Sequence, residues 1–351
     1  MGIINKHTME IGNLIYEDFK QYNEDNKNIK NDKSFLPWVE KYRPEKLDAI
    51  MSNEHIIKTF KDYVKKKYIP HLLICGPSGV GKTSVIMALA KELYGENYML
   101  MTKHINASEE RGIEIIRNKV KDFVMSSIFL PNVLPFKLVI LDEADAMTIS
   151  AQGMLRRIIE DFTSTARFCL ICNKLKNIDP AIQSRCVNFR FSLIDPDSIK
   201  NYVTKLCKEQ KIFVDKAGID LLIKICGGDM RKILNNLQSL YIGFNKITYD
   251  NIIKFIGYPS DDKINEILDL VLNNAFNIAY IKIDKIIQEN QYNLIDILNE
   301  IVIKLKSKFL NNTIKFDKFV GIINNLKKFE QNILLSVSDN IAIASFVSAF
   351  Y

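Results

Sequence analysis

Gly76-Pro-Ser-Gly-Val-Gly-Lys82-Thr83 fits G-x-x-x-x-G-K-[ST], a loop built to hold phosphate. Its glycines let backbone N–H groups curl around phosphate oxygens, and a helix opening behind it adds the positive end of a dipole. Gly76, Pro77, Ser78, Gly79, Val80, Gly81, Lys82, Thr83 and the following Ser84 are therefore candidate ATP-binding residues. Lys82 can reach the β- and γ-phosphates, and Thr83 offers a hydroxyl to Mg²⁺. By residue frequencies a chance match in a chain of this length has odds of roughly one in a hundred. A second station ends the run Leu138-Val-Ile-Leu-Asp142-Glu143-Ala-Asp145. A buried strand has no packing reason to finish in acids. Asp142 suits Mg²⁺ held through water, and Glu143 suits a base that orients and deprotonates an attacking water. Helix capping is the plainer use of such acids, and Asp145 fits it.

These residues need elements to hold them. HLLIC at 71–75, FKLVIL at 136–141 and FCLIC at 168–172 read as buried strands, and 187–191 alternates like a fourth. Between them, Val85, Ile86, Leu89 and Leu93 repeat as one face of a helix over Lys82–Tyr94. Strands alternating with helices predict a parallel α/β sheet, with ligands at the carboxyl ends of its strands. After Pro196 strand signals fade. Short helices are expected over Ile199–Leu206, Ala217–Cys226 and Met230–Tyr241. Gly257-Tyr258-Pro259-Ser260 punctuates the chain, and the pattern from 261 onward is helical. The expected fold class is α/β followed by all-α.

Composition agrees. Of 351 residues 47% are apolar and 25% charged, which excludes a wholly disordered chain, collagen and a disulfide scaffold. Six Cys, with no second C-x-x-C to pair with Cys169 and Cys172, are expected to be core thiols of a reducing compartment. No apolar run approaches the ~20 residues of a membrane span, and no signal pattern opens the chain. The net charge of +7 allows a polyanion partner. All nine Arg fall between 43 and 231, so phosphate chemistry is sought there. Residues 1–33 are polar and Asn/Lys-rich and read as a mobile tail, with one short helix around Ile11–Phe19.

Six spaced runs carry a family resemblance. They are Pro37-Trp38-Val39-Glu40-Lys41-Tyr42-Arg43-Pro44, HLLICGPSGVGKTS, Asn106-Ala-Ser-Glu-Glu-Arg111-Gly-Ile, LDEADAM, RFCLICN and Gln183-Ser184-Arg185-Cys186. In this order they resemble the replication factor C small subunits, clamp-loader ATPases of the AAA+ type, over about residues 34–351. The resemblance implies a RecA-like AAA+ core over 34–193, a helical lid over 194–258 and a helical collar over 259–351. It implies roles as well. Asn173 matches sensor 1, Arg231 in Gly228-Asp-Met-Arg matches sensor 2, and Val39 and Arg43 match the adenine-pocket segment. Arg185 matches an arginine finger that acts on the ATP of a neighbouring subunit, completing a catalytic set with Lys82, Asp142, Glu143 and Asn173.

Arg111 and Arg117 match positions that grip DNA phosphates, whereas Asn177 stands where the family usually has Lys. The resemblance makes Ile128, Phe129 and Leu130 a candidate clamp contact, with ordinary core packing the equally good use of such an apolar run. The implied partners are the other subunits of a heteropentamer, a PCNA-type sliding clamp and primed double-stranded DNA without sequence preference, with no membrane. The implied place is the nucleus. Two rivals remain at this level: an ATP-binding scaffold that only lends Arg185, and another AAA+ DNA motor. Intact Lys82, Thr83, Asp142 and Glu143 weigh against the first, and the opening run with Ser-Arg-Cys weighs against the second.

Overall fold

A computed structural model describes residues 35–109, 113–126, 134–333 and 338–351. The polar stretch 1–33, Arg111 and the run 128–130 lie outside the described residues. Two compact units form: Met1–Glu209 with Ile223–Ser239, and Gln210–Leu222 with Leu240–Tyr351.

The first unit is built on five parallel strands: β1 (Leu72–Cys75), β2 (Thr102–Asn106), β3 (Lys137–Asp142), β4 (Ala166–Cys172) and β5 (Val187–Arg190). Their order is β2-β3-β4-β1-β5. Both faces are dry. Leu72, Ile74, Leu138, Ile140, Cys169 and Ile171 feed one apolar cluster, while Leu73, Val139, Leu141, Phe168, Leu170 and Cys172 feed the other. That is the period of two for a sheet covered on each side, and it explains why these strands read as unbroken apolar runs. Strand β2 was not foreseen from the sequence. It is an edge strand pairing only with β3, and within TKHIN only Ile105 is buried. An edge strand has one partner and little need of apolar residues, so it leaves little signal.

The register sets up the site. Cys75 and Cys172 are direct partners, so the loop after β1 and Asn173 after β4 emerge side by side. Asp142, the last residue of β3, stands next along the same carboxyl edge. Behind the loop a helix runs over Lys82–Tyr94, as its periodicity predicts. Val85, Ile86 and Leu89 have no exposed surface, whereas Leu93 is half-buried. Each full burial stabilises by about 1.5–3 kcal/mol, and Leu89→Ala would cost about 2–5 kcal/mol. Gly95, with φ +54°, closes the helix in a conformation that only glycine adopts cheaply.

The second unit is mainly helical. Helices over Asp261–Asn273, Phe276–Asn290, Leu294–Leu310, Phe316–Ile333 and Asp339–Ser348 enclose one core running from Ile264 to Phe350. The punctuation at 257–260 has a physical form. Gly257 takes φ +68° to end the helix Tyr249–Ile256, and the Ser260 hydroxyl accepts from Lys263 N–H to start the next. Between them Tyr258 donates its hydroxyl to the buried Glu300. A short parallel ladder, β6 (Phe213–Val214) on β7 (Lys246–Ile247), departs from the all-helical expectation after Pro196. Two residues per strand are too few to leave a readable alternation.

All six cysteines are free, but only Cys169, Cys172, Cys207 and Cys226 are buried. Cys75 and Cys186 are half-buried, which corrects the expectation of six core thiols. Cys169 and Cys172 point into opposite apolar clusters, because residues three apart on a strand face opposite ways.

Candidate nucleotide site

A cavity of about 510 Å³ opens at the carboxyl edge of the sheet, within the first unit. That is a size suited to a small ligand. Residues 78–84 of the loop line it, together with Val39, Arg43, Asp142, Glu143, Asn173 and Arg231. Gly76 and Pro77 reach the site through their carbonyls. Gly79 and Gly81 sit at φ +68° and +88°, in the left-handed region where a Cβ is strained. A Cβ on Gly76 would lie 2.5 Å from the Phe191 carbonyl oxygen, so the loop can leave the sheet here only without a side chain.

Lys82 is almost wholly buried. Its Nζ donates to the carbonyls of Gly76 (2.8 Å) and Pro77 (2.6 Å) and to Asn173 Oδ1 (2.9 Å). Burial pulls its pKa below the ordinary lysine value, opposed by the Asp142 carboxylate. An ammonium whose three protons rest on neutral oxygens keeps its charge for an incoming anion. Thr83 Oγ1 donates to Asp142 Oδ2 at 2.7 Å, and Asp142 Oδ1 accepts from the Glu143 N–H at 2.9 Å. Burial alone would raise the Asp142 pKa. The nearby His104 imidazole and the hydrogen bonds from Thr83 and the Glu143 backbone outweigh it, and the carboxyl is held below its usual value. Thr83 and Asp142 thus face each other as hard oxygen donors, one hydroxyl and one anionic carboxylate. They fit Mg²⁺, which takes one or two protein oxygens and completes its shell with phosphate and water. Among the described residues no cluster of three His, Cys, Asp or Glu offers an all-protein metal cage.

Glu143 has φ +53° and ψ 39°, a left-handed conformation that a non-glycine residue adopts at a cost. The turn aims an exposed carboxylate at the cavity beside Asp142. Asp145 does not cap a helix. Its Oδ2 accepts the N–H groups of Asn173 (3.2 Å) and Lys174 (3.0 Å), so it fixes the end of β4 from which Asn173 projects. Thr148 caps the following helix instead, accepting from Ala151 N–H. At the mouth, Arg43 Nε donates to Ser84 Oγ at 3.3 Å and its Nη1 meets Glu40 at 3.2 Å. Tyr202 lines the apolar end, its pKa pushed up to about 12 by burial.

Arg185 stands apart. It does not line the cavity, and it pairs with Glu160 through Nη2 at 2.6 Å while Nη1 donates to the Ala181 carbonyl at 2.6 Å. Arg117 belongs to the helix Ile113–Met125, and Arg111 lies outside the described residues. Asn177 ends a short turn, and its carbonyl accepts from Gln152 Nε2 at 2.9 Å. Sequence reading missed His104, whose Nε2 lies 3.7 Å from Asp142 Oδ2. It also missed the positioning role of Asp145. His104 sits on the unforeseen strand β2, so nothing in the sequence could place it. Asp145 was visible, but its partners are two backbone amides that only the β3–β4 register supplies.

The comparisons with known proteins agree with this geometry. Residues 72–193 match the model of the ATPase family associated with various cellular activities (AAA), and residues 259–349 match the replication factor C C-terminal domain. Replication factor C subunit 5 of Homo sapiens is 39% identical over 317 residues, covering 90% of this chain and 91% of its own. Probable replication factor C subunit 5 of Dictyostelium discoideum is 38% identical over 320 residues, with 90% of each chain covered. Replication factor C subunit 3 of Saccharomyces cerevisiae is 37% identical over 326 residues, covering 91% and 94%. These numbers fit the runs FKLVILDEADAM and ARFCLICN, which look most like the subunit called five in vertebrates and three in yeast. Among solved structures, the Thermotoga maritima RuvB Holliday junction branch migration motor superposes with a TM-score of 0.50 at 13% identity, covering 69% of this chain and 85% of that one. At that identity it speaks for the fold alone. With a phosphate loop, an acidic strand end and both family regions in place, the chain belongs to the replication factor C subunits and is an ATP-hydrolysing enzyme of the AAA+ type.

Proposed function

We propose that this chain is one ATPase subunit of a heteropentameric clamp loader, which uses ATP to open a PCNA-type ring and place it on primed DNA in the nucleus. The observation that carries the reading is the single cavity in which Lys82 bonds Asn173 while Thr83 bonds Asp142. Four candidate residues from three separate strand ends are already in mutual contact.

On this reading the phosphate loop binds ATP, and Lys82 exchanges its carbonyl partners for β- and γ-phosphate oxygens. Thr83 and Asp142 would hold Mg²⁺, which supplies charge neutralisation across the phosphates. Asn173 and Glu143 orient the attacking water, and Glu143 takes its proton. Arg231 approaches the γ-phosphate from the helix that carries it, and Val39 and Arg43 border the adenine. Arg185, outside its own cavity, serves the ATP of the next subunit, so assembly completes each site. Arg111 and Arg117 bind neighbouring DNA phosphates and read no bases. The three-part division at 193 and 258 belongs to the same proposal, with the residues after 258 joining the subunits in a ring.

The test is to co-express the chain with partner replication factor C subunits, purify the assembly and measure ATP hydrolysis with and without clamp and primed DNA. Stimulation by both together supports clamp loading. A stable assembly that neither ligand stimulates would sink it and leave a scaffold or another motor.

A further inference from the structure

The N-terminus of the helix Met230–Phe244 is tied directly to the phosphate loop. Asp229 carries the tie. Its Oδ1 accepts the N–H groups of Arg231 (2.9 Å) and Lys232 (3.2 Å), the usual bonds of a helix N-cap. Its Oδ2 accepts the hydroxyl of Ser78 at 3.2 Å. The next amide, Met230 N–H, donates to the Gly79 carbonyl at 3.2 Å. The contact is close enough that a Cβ on Gly79 would fall 1.8 Å from Asp229 Oδ1. One carboxylate therefore caps the helix with one oxygen and holds the loop with the other. Arg231, two residues on, lines the cavity.

We infer that Asp229 and Ser78 form a joint that positions Arg231 over the γ-phosphate end of the site, so that the joint sets how well the subunit tells ATP from ADP. The inference rests on the reading of Arg231 as the γ-phosphate contact. The physical argument is one of lever and pivot. The carbonyl of Gly79 and the side chain of Ser78 belong to the loop that must wrap the phosphates. Any shift of that loop on loading is passed through two hydrogen bonds to the first turn of the helix. An arginine on that turn loses its aim if the turn is free to swing, because a guanidinium must meet its oxygens within a few tenths of an ångström. The hydroxyl matters in its own right, since removing it keeps the loop's backbone groups and takes away only the bond to Asp229 Oδ2. Asp229 and Ser78 are positioning residues: neither is asked to touch the transferred phosphoryl group.

The experiment measures binding of fluorescent ATP and ADP analogues to the full-length chain, and to the co-purified assembly. The variants are Ser78→Ala, Ser78→Thr, Asp229→Ala, Arg231→Ala and the double variant Ser78→Ala/Arg231→Ala. One lost hydrogen bond of ordinary strength corresponds to about a three- to ten-fold change in affinity. Ser78→Ala is expected to weaken ATP by about five-fold and ADP by less than about two-fold, with Ser78→Thr close to the parent. Asp229→Ala, which removes the cap as well, should weaken ATP by ten-fold or more on the same scale. In the Arg231→Ala background, Ser78→Ala should add nothing. Equal weakening of ATP and ADP by Ser78→Ala, or additive losses in the double variant, would overturn the joint while leaving Arg231 in its role. If Arg231→Ala alone fails to separate ATP from ADP, the γ-phosphate reading fails first, and the joint falls with it by a recognisably different pattern.

Discussion

The two arginine-bearing corners of the first unit are built in opposite ways. Around the cavity, Lys82, Thr83, Asp142 and Asn173 are tied to each other and to backbone at 2.6–2.9 Å, at the carboxyl edge of the sheet. Arg185 stands on the surface, 38% exposed, held by one carboxylate that is itself 42% exposed. The first corner is finished by the chain's own register. The second has a charged tip whose partners are another side chain and a carbonyl, both replaceable. A site that must bind before anything else happens is worth preorganising, because rigidity removes the cost of ordering. A group that must leave one partner for another is better held loosely, since an exposed ion pair contributes only about 0–1 kcal/mol.

The largest effect that would sharpen this contrast is at Arg185. Arg185→Ala should leave nucleotide binding by its own chain unchanged and slow hydrolysis in the assembly at the neighbouring site, by about 10³-fold or more if it acts as an arginine finger. Loss of binding at its own cavity would break the comparison, since Arg185 would then belong to the first corner. Next is Lys82→Ala, expected to weaken ATP binding by about a hundred-fold, because it removes the one ammonium inside the loop and leaves Asn173 Oδ1 unpaired. Titration with a fluorescent nucleotide reads both variants on one scale.

Much of this was legible in the sequence, for reasons that differ by residue. The cavity's main residues are bound to short, stiff motifs. G-x-x-x-x-G-K-[ST] can fold in few ways that satisfy its backbone, and an apolar strand ending in Asp142-Glu143 announces its own carboxyl edge. Buried strands covered on both faces read as apolar runs, so β1, β3 and β4 were plain. What escaped depends on neighbours far along the chain. Strand β2 has one partner and one buried residue, so its pattern is that of a loop, and His104 was lost with it. Asp145 and Asp229 were visible as acids, yet their work is to accept amides from β4 and a hydroxyl from the loop, and spacing along one segment does not encode either contact. The pairing of Arg185 with Glu160 is of the same kind, 25 residues apart and joined only by the fold.

A buried residue at the amino edge of the sheet gives a smaller, pH-dependent prediction. His71 sits just before β1, 9% exposed. Its Nδ1 accepts the Phe168 N–H at 3.2 Å, so the ring is held neutral with its proton on Nε2, towards the Thr163 hydroxyl at 3.4 Å. Burial, with the nearby Arg167 charge adding to it, lowers its pKa to about 4. The folded state therefore binds fewer protons than the unfolded state between pH 6.5 and 4, and stability falls as the pH falls through that window. A drop from 6.5 to about 4 corresponds to about 3.5 kcal/mol at about 1.4 kcal/mol per pH unit, and the solvent that reaches part of the site brings the expected loss to about 1–2 kcal/mol. Urea unfolding followed from pH 7 to 4 should show this slope in the parent and lose it in His71→Gln. A slope that survives the substitution would assign it elsewhere.

The smallest expected effect is the most discriminating for the loosely held corner. Glu160 Oε1 takes Arg185 at 2.6 Å and lies 3.8 Å from Arg156 Nε, a buried nitrogen with no hydrogen-bond partner among the described residues. If the Arg185 pair is only a resting contact, Glu160→Gln should change the unfolding free energy by less than about 1 kcal/mol, the usual worth of a pair at this exposure. The change should also shrink in high salt, because exposed charges are screened within about 10 Å at 0.1 M. Arg156 limits the loss further, since it can close on the vacated amide oxygen. A cost several times larger, insensitive to salt, would mean that Glu160 and Arg185 brace the fold as the cavity residues do. Arg185 could then not swap partners cheaply, and the distinction between a preorganised corner and a replaceable one would fail on stability alone, before any assembly is made.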